Sequence, residues 1–554
     1  MTPFKKTGQF YQAIARSKPS KLVEKALTLL KNYQPTLDEE LAHTSLLASA
    51  YALTSMYSLE LADAMTSLNL YDKLLENHYP MKTEDWAKLT KVYHFVYEKT
   101  QKMENLEKAV FAANLSEDPH LLSETLLELY LRVREDDTFN LALEKVSRFL
   151  QKAPEDQKLL HIRAELYREY GLRNKEIKFL QLAFDEFEKI VTLYPKDQKA
   201  KALSIATAAF AALFAEDIQK IMEAAYKSQL LSEHTPVELY AKGICSLCYA
   251  IYASDLDELQ RAIHFFQRST SVDRTFDLGW HYLGISFFLF YEATEEDRFV
   301  ILAIKFFQKA LQQKMRAETY VQIAIATSRL FDIDEAVEHL EQAKVYFEIA
   351  FHIEKGSTFP PSDWVFEYAS LLDQMGEVKE DEGLLTQAIE QFNRVLILDP
   401  ATDDIHHRLA LTLAHLADLT QDQNHFIRTI CHFRLAHKSN PDHDFILLDW
   451  ALTLINYAEC IDDPDRKIAV MKEAEEKLMR SAKQGNSQAY YQIACFYSLN
   501  NHKDLAFEWM KKARQINALP PMQELLEDAW LENLRKTDEF HHFITFLNDG
   551  STDL

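Results

Sequence analysis

The sequence predicts an all-α fold, a right-handed superhelical solenoid of about twelve helix-turn-helix units. The first observation is a repeat of about 41 residues that runs through most of the 554-residue chain. The second is that only 10 glycines and 15 prolines occur, too few for long flexible linkers. The third is the absence of sustained two-residue alternation of Val, Ile or Thr, which half-buried strands would show. Because each unit of a solenoid contacts only its neighbours, this length does not require several separate cores.

Each repeat is marked by a small residue, followed at fixed offsets by a second small residue, an aromatic residue and a third small or aliphatic residue. Gly284 is followed in this way by Ala303, Phe307 and Ala310, which come 19, 23 and 26 residues later. These offsets differ by four and three residues, so the three side chains form one stripe on a helix. The middle position is aromatic in seven of eleven repeats: Tyr71, Phe187, Phe266, Phe307, Phe347, Phe392 and Phe433. We expect the stripe to fill the gap beside an earlier helix, which the small residue allows to come close.

The repeat resembles the tetratricopeptide repeat (TPR), a pair of antiparallel helices called A and B. Trp280, Leu283, Gly284 and Phe287 stand where that family has its helix A signature, and the stripe that follows stands where it has its helix B signature. In the ordinary 34-residue repeat the step between the two small residues is 12, whereas here it is 19. The seven additional residues make about two helical turns. They either lengthen both helices by one turn or form a longer connecting loop.

The last repeat keeps the ordinary spacing, with Ala494 followed by Ala506, Met510 and Ala513. Together with residues 528–540 it resembles the closing module of bacterial TPR arrays, and this resemblance suggests a bacterial chain. A solenoid needs such an end unit to cover its last apolar face. The predicted organisation is a basic helical segment at 1–40, an array of expanded hairpins at 41–485, the closing module at 486–546 and a disordered tail at 547–554.

The overall charge is strongly acidic, −24 from 61 basic and 85 acidic side chains. Such a charge opposes binding to nucleic acids and anionic membranes and favours a basic partner. Five cysteines in 554 residues argue against a disulfide framework. We find neither a secretory signal nor an apolar stretch of about 20 residues that would span a membrane. The sequence therefore predicts a soluble cytoplasmic protein.

No motif indicates catalysis, a cofactor or a metal site. Phosphate-binding glycine loops, the nucleophile elbow and the HExxH zinc motif are all absent. Cys245 and Cys248 form the one CxxC pair, and without a second pair we interpret them as packing residues. The neighbouring histidines His406-His407 and His541-His542 point to different helix faces, so we interpret them as surface residues. The protein is predicted not to be an enzyme and to have no cofactor.

The TPR resemblance implies that the A helices line a concave face, with exposed positions three before, one after and four after each small residue. A partner helix or extended peptide would lie along these positions, and aromatic side chains would anchor it. The alternative is that the longer units pack the same side chains internally. The candidate groove residues are Tyr240, Ile244, His281, Ile285, Phe288, Phe366, His407, Leu411 and Tyr491.

Acidic residues recur in the connections between helices A and B. If these connections share one edge of the solenoid, the acids form a ridge that attracts a basic partner. The alternative is that they cap helix N-termini and keep the connections solvated. The candidate ridge residues are Asp257, Glu258, Glu295, Glu296, Asp297, Glu380, Asp381 and Glu382.

The predicted function is a non-catalytic scaffold or adaptor that binds a protein or peptide partner along a concave helical groove. Two alternatives stay open: a chaperone for secreted or assembling proteins, and a regulatory subunit of a separate enzyme. The sequence leaves the oligomeric state open, as it does the role of the basic N-terminus.

Overall fold

A computed structural model describes residues 20–354, 360–402, 404–443 and 445–548, without the side chains of residues 20–23, 546 and 548. These residues contain α-helices, one short 3-10 helix and no strand. The predicted all-α, TPR-like fold is thereby confirmed. Residues 1–19 of the predicted N-terminal segment and residues 549–554 of the predicted tail lie outside the described residues, whereas residues 547 and 548 belong to the last helix.

The helices follow one another along the chain and are joined mostly by short connections. In the first half they are α1 Ser20–Lys31, α2 Glu40–Ser58, α3 Leu61–Glu76, α4 Thr83–Thr100, α5 Met103–Ser116, α6 Pro119–Val133, α7 Asp136–Lys152, α8 Gln157–Arg173, α9 Ile177–Leu193, α10 Gln198–Phe214, α11 Ile218–Gln229, α12 Pro236–Ala253, α13 Leu256–Val272, α14 Asp277–Thr294 and α15 Asp297–Gln313. They continue with α16 Ala317–Ser328, α17 Phe331–Asp334, α18 Val337–Ile353, α19 Ser362–Lys379, α20 Glu382–Leu398, α21 Ile405–Thr420, α22 Gln423–Ser439, α23 Ile446–Glu459, α24 Pro464–Gln484, α25 Gln488–Leu499, α26 Lys503–Gln515, α27 Met522–Glu527, the 3-10 helix Ala529–Leu531, α28 Glu532–Arg535 and α29 Asp538–Asn548.

The chain divides into two compact units. Unit 1 comprises residues 1–326 and 348–358, and unit 2 comprises residues 327–347 and 359–554. Within each unit a helix A packs on its own helix B, that helix B packs on the next helix A, and successive A helices touch. In unit 1 this order is seen for α12, α13 and α14, and in unit 2 for α21, α22 and α23. This is the neighbour-to-neighbour packing of stacked helical hairpins.

The seven additional residues of each repeat lengthen the helices and not the loops. Helix α12 has 18 residues and α13 has 17, and only Ser254 and Asp255 separate them. Helices α19 and α20 show the same arrangement, with Glu380 and Asp381 between them. The alternative of a longer connecting loop is therefore excluded for these hairpins.

The turn between helices A and B is made by two residues with distinct tasks. The first adopts a left-handed conformation that ends helix A, as Ser254 does with φ 52°. The second begins helix B: the Asp255 carboxylate accepts hydrogen bonds from the backbone N–H groups of Asp257 and Glu258, at 2.9 and 3.1 Å. Two residues are thus enough to reverse the chain.

The small residue of each repeat lies against the aromatic residue of the stripe. A Cβ atom added to Gly243 would stand 2.5 Å from the Phe266 ring, and one added to Gly284 would stand 2.6 Å from the Phe307 ring. Both phenylalanines are fully buried. The predicted close approach of helix A to the stripe on helix B is confirmed at these two hairpins.

Replacing Gly284 with alanine is expected to destabilise unit 1 by about 1 kcal/mol. Crowding against Phe307 costs about 1–3 kcal/mol, and the better helix propensity of alanine returns about 1 kcal/mol. Urea unfolding followed by circular dichroism measures the change. In a Phe307→Leu background the same substitution should cost less, because leucine leaves room for the methyl group. A stabilising effect of Gly284→Ala in the wild-type background would contradict the crowding.

The C-terminal helices close the apolar end of unit 2. Leu531, Leu534 and Phe540 are buried in the same cluster as Met510 of α26. The Tyr491 hydroxyl donates a hydrogen bond to the Asp528 carboxylate at 2.6 Å and ties α25 to this segment. These residues cover the last hairpin, as the sequence predicts, while the resemblance to a bacterial closing module stays a prediction.

No helix among the described residues combines the length and the apolar character that a membrane crossing requires.

Candidate interaction surfaces

Most of the candidate groove side chains are buried. In unit 1, Tyr240 and Ile244 are 0% exposed, Phe288 is 6% exposed and His281 is 7% exposed. In unit 2, His407 and Tyr491 are each 7% exposed. The expectation that these six stand open to a partner is therefore wrong for this structure. The physical reason is that helix A also packs against the next helix A, so its inner face is used for internal contacts.

Three candidate groove residues remain partly exposed. Ile285 lies on α14 in unit 1, and Phe366 and Leu411 lie on α19 and α21 in unit 2. The Phe366 ring packs edge-on against the fully buried Phe392, with ring centroids 5.6 Å apart. The role of all nine residues in binding a partner stays a prediction.

In unit 1 a buried set of ion pairs joins helices that are far apart in sequence. Arg134 follows α6, and its Nη2 lies 2.6 Å from Glu318 Oε1 of α16 and 3.3 Å from Glu169 Oε2 of α8. The Arg132 guanidinium donates a hydrogen bond to the Met315 carbonyl at 2.7 Å. Arg173 Nη2 lies 2.9 Å from Glu354 Oε2, just after α18. We call Arg132, Arg134, Arg173, Met315, Glu318 and Glu354 the clasp, because they link segments 181 to 184 residues apart within unit 1.

Glu169 lies beside the clasp, where Arg134 contacts it, and nearby arginine charges set its pKa. Burial alone would raise the pKa of this carboxyl, but the guanidinium charges of Arg168 and Arg134 lower it to about 2. Arg168 also donates to the Tyr240 hydroxyl at 2.9 Å. Burial raises the pKa of Glu318 as well, yet Arg134 and Arg316 bring it below its ordinary value. Both acids are therefore held as carboxylates by the arginines around them.

A cavity of about 180 Å³ lies beside these charges within unit 1. Arg168, Glu169, Arg316 and Glu318 form part of its wall, and His281 of α14 completes the polar side. His281 Nδ1 and the Thr319 hydroxyl share a hydrogen bond at 2.9 Å. Burial and the nearby positive charge of Arg316 lower the pKa of His281 to about 4. The imidazole is thus neutral at pH 7.

His281 is expected to make unit 1 less stable in acid. Its folded pKa of about 4 lies below the ordinary 6.5, so the unfolded chain takes up a proton that the folded chain refuses. Stability is therefore lost as pH falls from 6.5 to 4, by up to about 3 kcal/mol. Urea unfolding of His281→Gln should show a shallower pH dependence than wild type over this range. His542→Gln, at an exposed histidine, should keep the wild-type dependence of the unfolding free energy on pH. The same pH dependence in all three proteins would contradict the lowered pKa of His281.

The clasp residues are not among the site residues that the repeat pattern predicts. Arg168 stands four residues after the small residue Ala164, which is one of the positions that the TPR resemblance places on the concave face. Extending that rule to Ala164 would have identified it. Arg134 occupies the left-handed position after α6, and Glu318 lies six residues before Ala324. No periodic signal marks these two positions.

The candidate ridge residues lie at the turns between helices A and B, as expected. Several serve the turn itself: Glu295 and Glu380 adopt the left-handed conformation, and Asp381 accepts backbone hydrogen bonds from Gly383 and Leu384 at 2.8 and 3.1 Å. Asp257, Glu258 and Asp297 lie in the first turns of α13 and α15, where acids interact favourably with the helix dipole. The capping alternative is thus supported in detail, and the ridge stays a prediction.

The acidic charge of the chain is concentrated in unit 2. This unit contains 38 acidic and 20 basic residues, so it carries −18 of the total −24. Its A helices are linked by polar pairs, in which His415 lies 3.0 Å from Asp373 and Asn456 lies 3.0 Å from Asp418. Beside them Glu377 is 61% exposed. Unit 2 therefore presents an acidic surface to solvent.

Unit 2 also has an open depression between α23, α24, α25 and α26, where apolar residues stand beside two acids and two lysines, Glu459, Glu475, Lys467 and Lys472. Its volume is about 680 Å³, and Met471 and Phe496 belong to its lining. Two further lining residues are exposed: Ile468, at 67%, and Leu505, at 40%. Helix α24, the longest described helix at 21 residues, borders the depression with its first half. The sequence of this region differs from the other repeats only in its spacing, since Ala474, Leu478 and Ser481 come four residues late.

The sulfur and imidazole groups do not assemble a metal-ion site among the described residues. Cys245 and Cys248 are buried in α12, and burial raises the pKa of the Cys245 thiol to about 12. This burial agrees with the interpretation of the pair as packing residues. His406 Nδ1 lies 3.2 Å from His432 Nδ1, while His407 pairs with Asp449 at 2.8 Å. His541 and His542 are exposed on α29.

The family assignment rests on the last hairpin. The tetratricopeptide repeat family model matches residues 487–518, which are helices α25 and α26 and the residues that flank them. These residues form a tetratricopeptide repeat. The match falls on the repeat with ordinary spacing, while the expanded hairpins before it have the same A-to-B packing with longer helices. No curated protein matches the sequence.

Three solved structures are similar to this chain. The APC/C hetero-tetramer Cut9-Hcn1 has 14% identity and a TM-score of 0.42, with 92% of this chain and 92% of that chain covered. Human IFIT1, a dimer with m7Gppp-AAAA, has 15% identity, 83% and 94% coverage and a TM-score of 0.41. YrrB, a TPR protein with an unusual peptide-binding site, has 20% identity, 37% and 90% coverage and a TM-score of 0.26. At these identities and TM-scores, the three structures do not indicate what this chain binds.

Proposed function

We propose that this protein is a non-catalytic scaffold that binds a basic protein partner through unit 2. The observation that supports the proposal is the charge imbalance, with −18 on unit 2 and −6 on the rest of the chain. An acidic surface raises the encounter rate with a basic partner and orients it before contact. The predicted cytoplasmic location, the chaperone role and the role as a regulatory subunit remain finer predictions that no further observation favours.

The depression of unit 2 supplies the short-range part of the proposed interface. Charge attraction alone gives a salt-sensitive and weakly specific complex, whereas apolar anchors in a pocket carry most of the affinity of a stable one. Ile468 and Leu505 offer exposed apolar surface beside Met471 and Phe496. The proposed partner segment therefore combines basic residues with at least one apolar anchor. Phe366 and Leu411 of the predicted groove are further candidates in the same unit.

The charge part of the proposal is tested with Glu377→Lys/Glu380→Lys/Glu382→Lys. All three side chains are exposed and lie at one turn between α19 and α20. Once crosslinking and mass spectrometry have identified a partner, the variant should associate about tenfold more slowly at low salt, and the difference should shrink at high salt. The matched control is Glu104→Lys/Glu144→Lys/Glu223→Lys, which makes the same charge change on exposed residues of unit 1. Equal association rates for both triple variants would refute steering by unit 2.

The apolar part is tested with Ile468→Asp, which should raise the Kd by about tenfold or more through faster dissociation. Its control is Ile397→Asp, because Ile397 is 79% exposed in unit 2 but does not line the depression. A partner that binds both variants as tightly as wild type does not use the depression. If no partner crosslinks to unit 2 at low or moderate salt, the scaffold proposal itself fails.

A further inference from the structure

The cavity of unit 1 has a polar side whose hydrogen-bonding capacity is not used up. Arg168 is 4% exposed, and its Nε has no hydrogen-bond partner. Arg316 donates from Nε to the Asp277 carboxylate, while its two terminal nitrogens have no partner among the described residues. Three of the four nearby carboxylate oxygens are engaged, since both oxygens of Glu169 accept from Arg168 and Arg134, and Oε1 of Glu318 accepts from Arg134. Unused donors therefore outnumber unused acceptors at this wall.

The lining of the cavity also contains four apolar residues, Leu172, Phe210, Phe214 and Leu278. A wall of two aromatic rings and two leucines cannot satisfy the hydrogen bonds of ordered water. The cavity has the two-sided character of a site for an amphipathic small molecule, apolar at one end and charged at the other.

The volume limits the size of that molecule. A protein cavity of about 150 Å³ accommodates benzene, so about 180 Å³ has room for one ring or branched aliphatic chain with a small polar group. The polar group must accept hydrogen bonds from guanidinium donors, and carboxylates do so with matching geometry. The lowered pKa values of Glu169, Glu318 and His281 agree with a positive local potential at this wall.

We propose that unit 1 binds a small organic acid of about the size of benzoate in this cavity, with its carboxylate on the terminal nitrogens of Arg316 and its apolar body against Phe210, Phe214 and Leu278. The site is separate from the interface proposed for unit 2 and does not depend on it. The carboxylate supplies the acceptors that Arg316 lacks, and the apolar body covers the apolar lining residues.

The test titrates the full chain with 4-fluorobenzoate, observed by fluorine NMR and isothermal calorimetry at constant chloride. Benzamide and benzylamine serve as the neutral and cationic probes of nearly the same shape. We expect saturable one-to-one binding of the acid and at least about tenfold weaker binding of the other two probes. Equal binding of acid and amide would overturn the role of the arginines. No binding of any probe at millimolar concentration would overturn the site and leave a water-filled cavity.

Variants assign the binding to this cavity. Arg316→Met should weaken binding of the acid by about tenfold or more. Arg316→Lys should weaken it by a smaller factor, because lysine keeps the charge without the planar fork. The control is Arg148→Met, which removes an exposed arginine of α7 that does not line the cavity. Wild-type affinity in both Arg316 variants would refute the assignment. Circular dichroism checks that each variant folds. If Arg316→Met does not fold, the affinity of Arg316→Lys for the acid and the comparison with benzamide decide whether Arg316 binds the carboxylate.

Discussion

Replacing Arg134 with methionine is expected to destabilise unit 1 by about 3–5 kcal/mol, the usual cost of removing one partner from a buried ion pair. The Arg134 side chain is 3% exposed and contacts both Glu169 and Glu318. Its removal leaves two buried carboxylates with less compensating charge, and methionine supplies no hydrogen bond to either. Urea unfolding at pH 7 measures the loss, and hydrogen exchange in α6, α8 and α16 shows whether it falls on the segments that the clasp joins.

The pH dependence distinguishes this electrostatic loss from a packing defect. In the wild type the folded pKa of Glu169 is about 2, below the ordinary 4.5, so its stabilising contribution is present above pH 4.5 and is lost as pH falls toward 2. In Arg134→Met the pKa values of Glu169 and Glu318 should rise toward their ordinary values, because only Arg168 and Arg316 remain to lower them. The deficit should therefore shrink as pH falls from 4.5 toward 2, because the wild type loses the contribution of Glu169 over that range and the variant has less of it to lose.

The matched control for Arg134→Met is Arg148→Met. Arg148 and its partner Glu144 are each 64% exposed, and such surface pairs contribute about 0–1 kcal/mol. A loss of this small size in Arg134→Met, or a large loss that does not change with pH, would contradict the clasp. Adding Glu318→Gln to Arg134→Met should recover part of the stability, because a neutral amide is less costly to bury without its partner.

The local architecture could be predicted because it is encoded at short range. The packing of Gly284 against Phe307 and the alternation of helices A and B depend on residues fewer than 45 positions apart. The repeat shows this pattern many times. Asp255 as the cap of α13 is likewise visible, since acids precede helices for a local reason. The helical spacing of the stripe then determines which face each helix B buries.

The inner face of unit 1 could not be predicted in the same way. The contacts of Arg132, Arg134 and Arg173 reach residues more than 180 positions away, and each occurs once, so no repetition reveals them. Tyr240 illustrates the consequence. Its position in the repeat marks it as a groove residue, but its hydroxyl accepts a hydrogen bond from Arg168, and the side chain is fully buried. Whether such a position is open depends on the path of the whole unit, which local spacing does not specify.

Truncating the stripe itself should have an effect as large as breaking the clasp. Phe307→Ala is expected to destabilise unit 1 by about 3–5 kcal/mol, because Phe307 is 0% exposed and its removal opens a cavity between α14 and α15. The control is Phe111→Ala, since Phe111 is 63% exposed on α5 and should cost less than about 1 kcal/mol. Urea unfolding followed by circular dichroism measures both.

The coupling between Phe307 and Gly284 decides whether the repeat signature is a direct packing contact. With the ring removed, the Cβ atom of an alanine at position 284 no longer meets Phe307, so Gly284→Ala should change from destabilising to neutral or stabilising by about 1 kcal/mol. That reversal would tie the small residue and the aromatic residue to one physical requirement, the approach of helix A to helix B. Additive effects would mean that the two positions recur for independent reasons, and the close approach would then not explain the repeat.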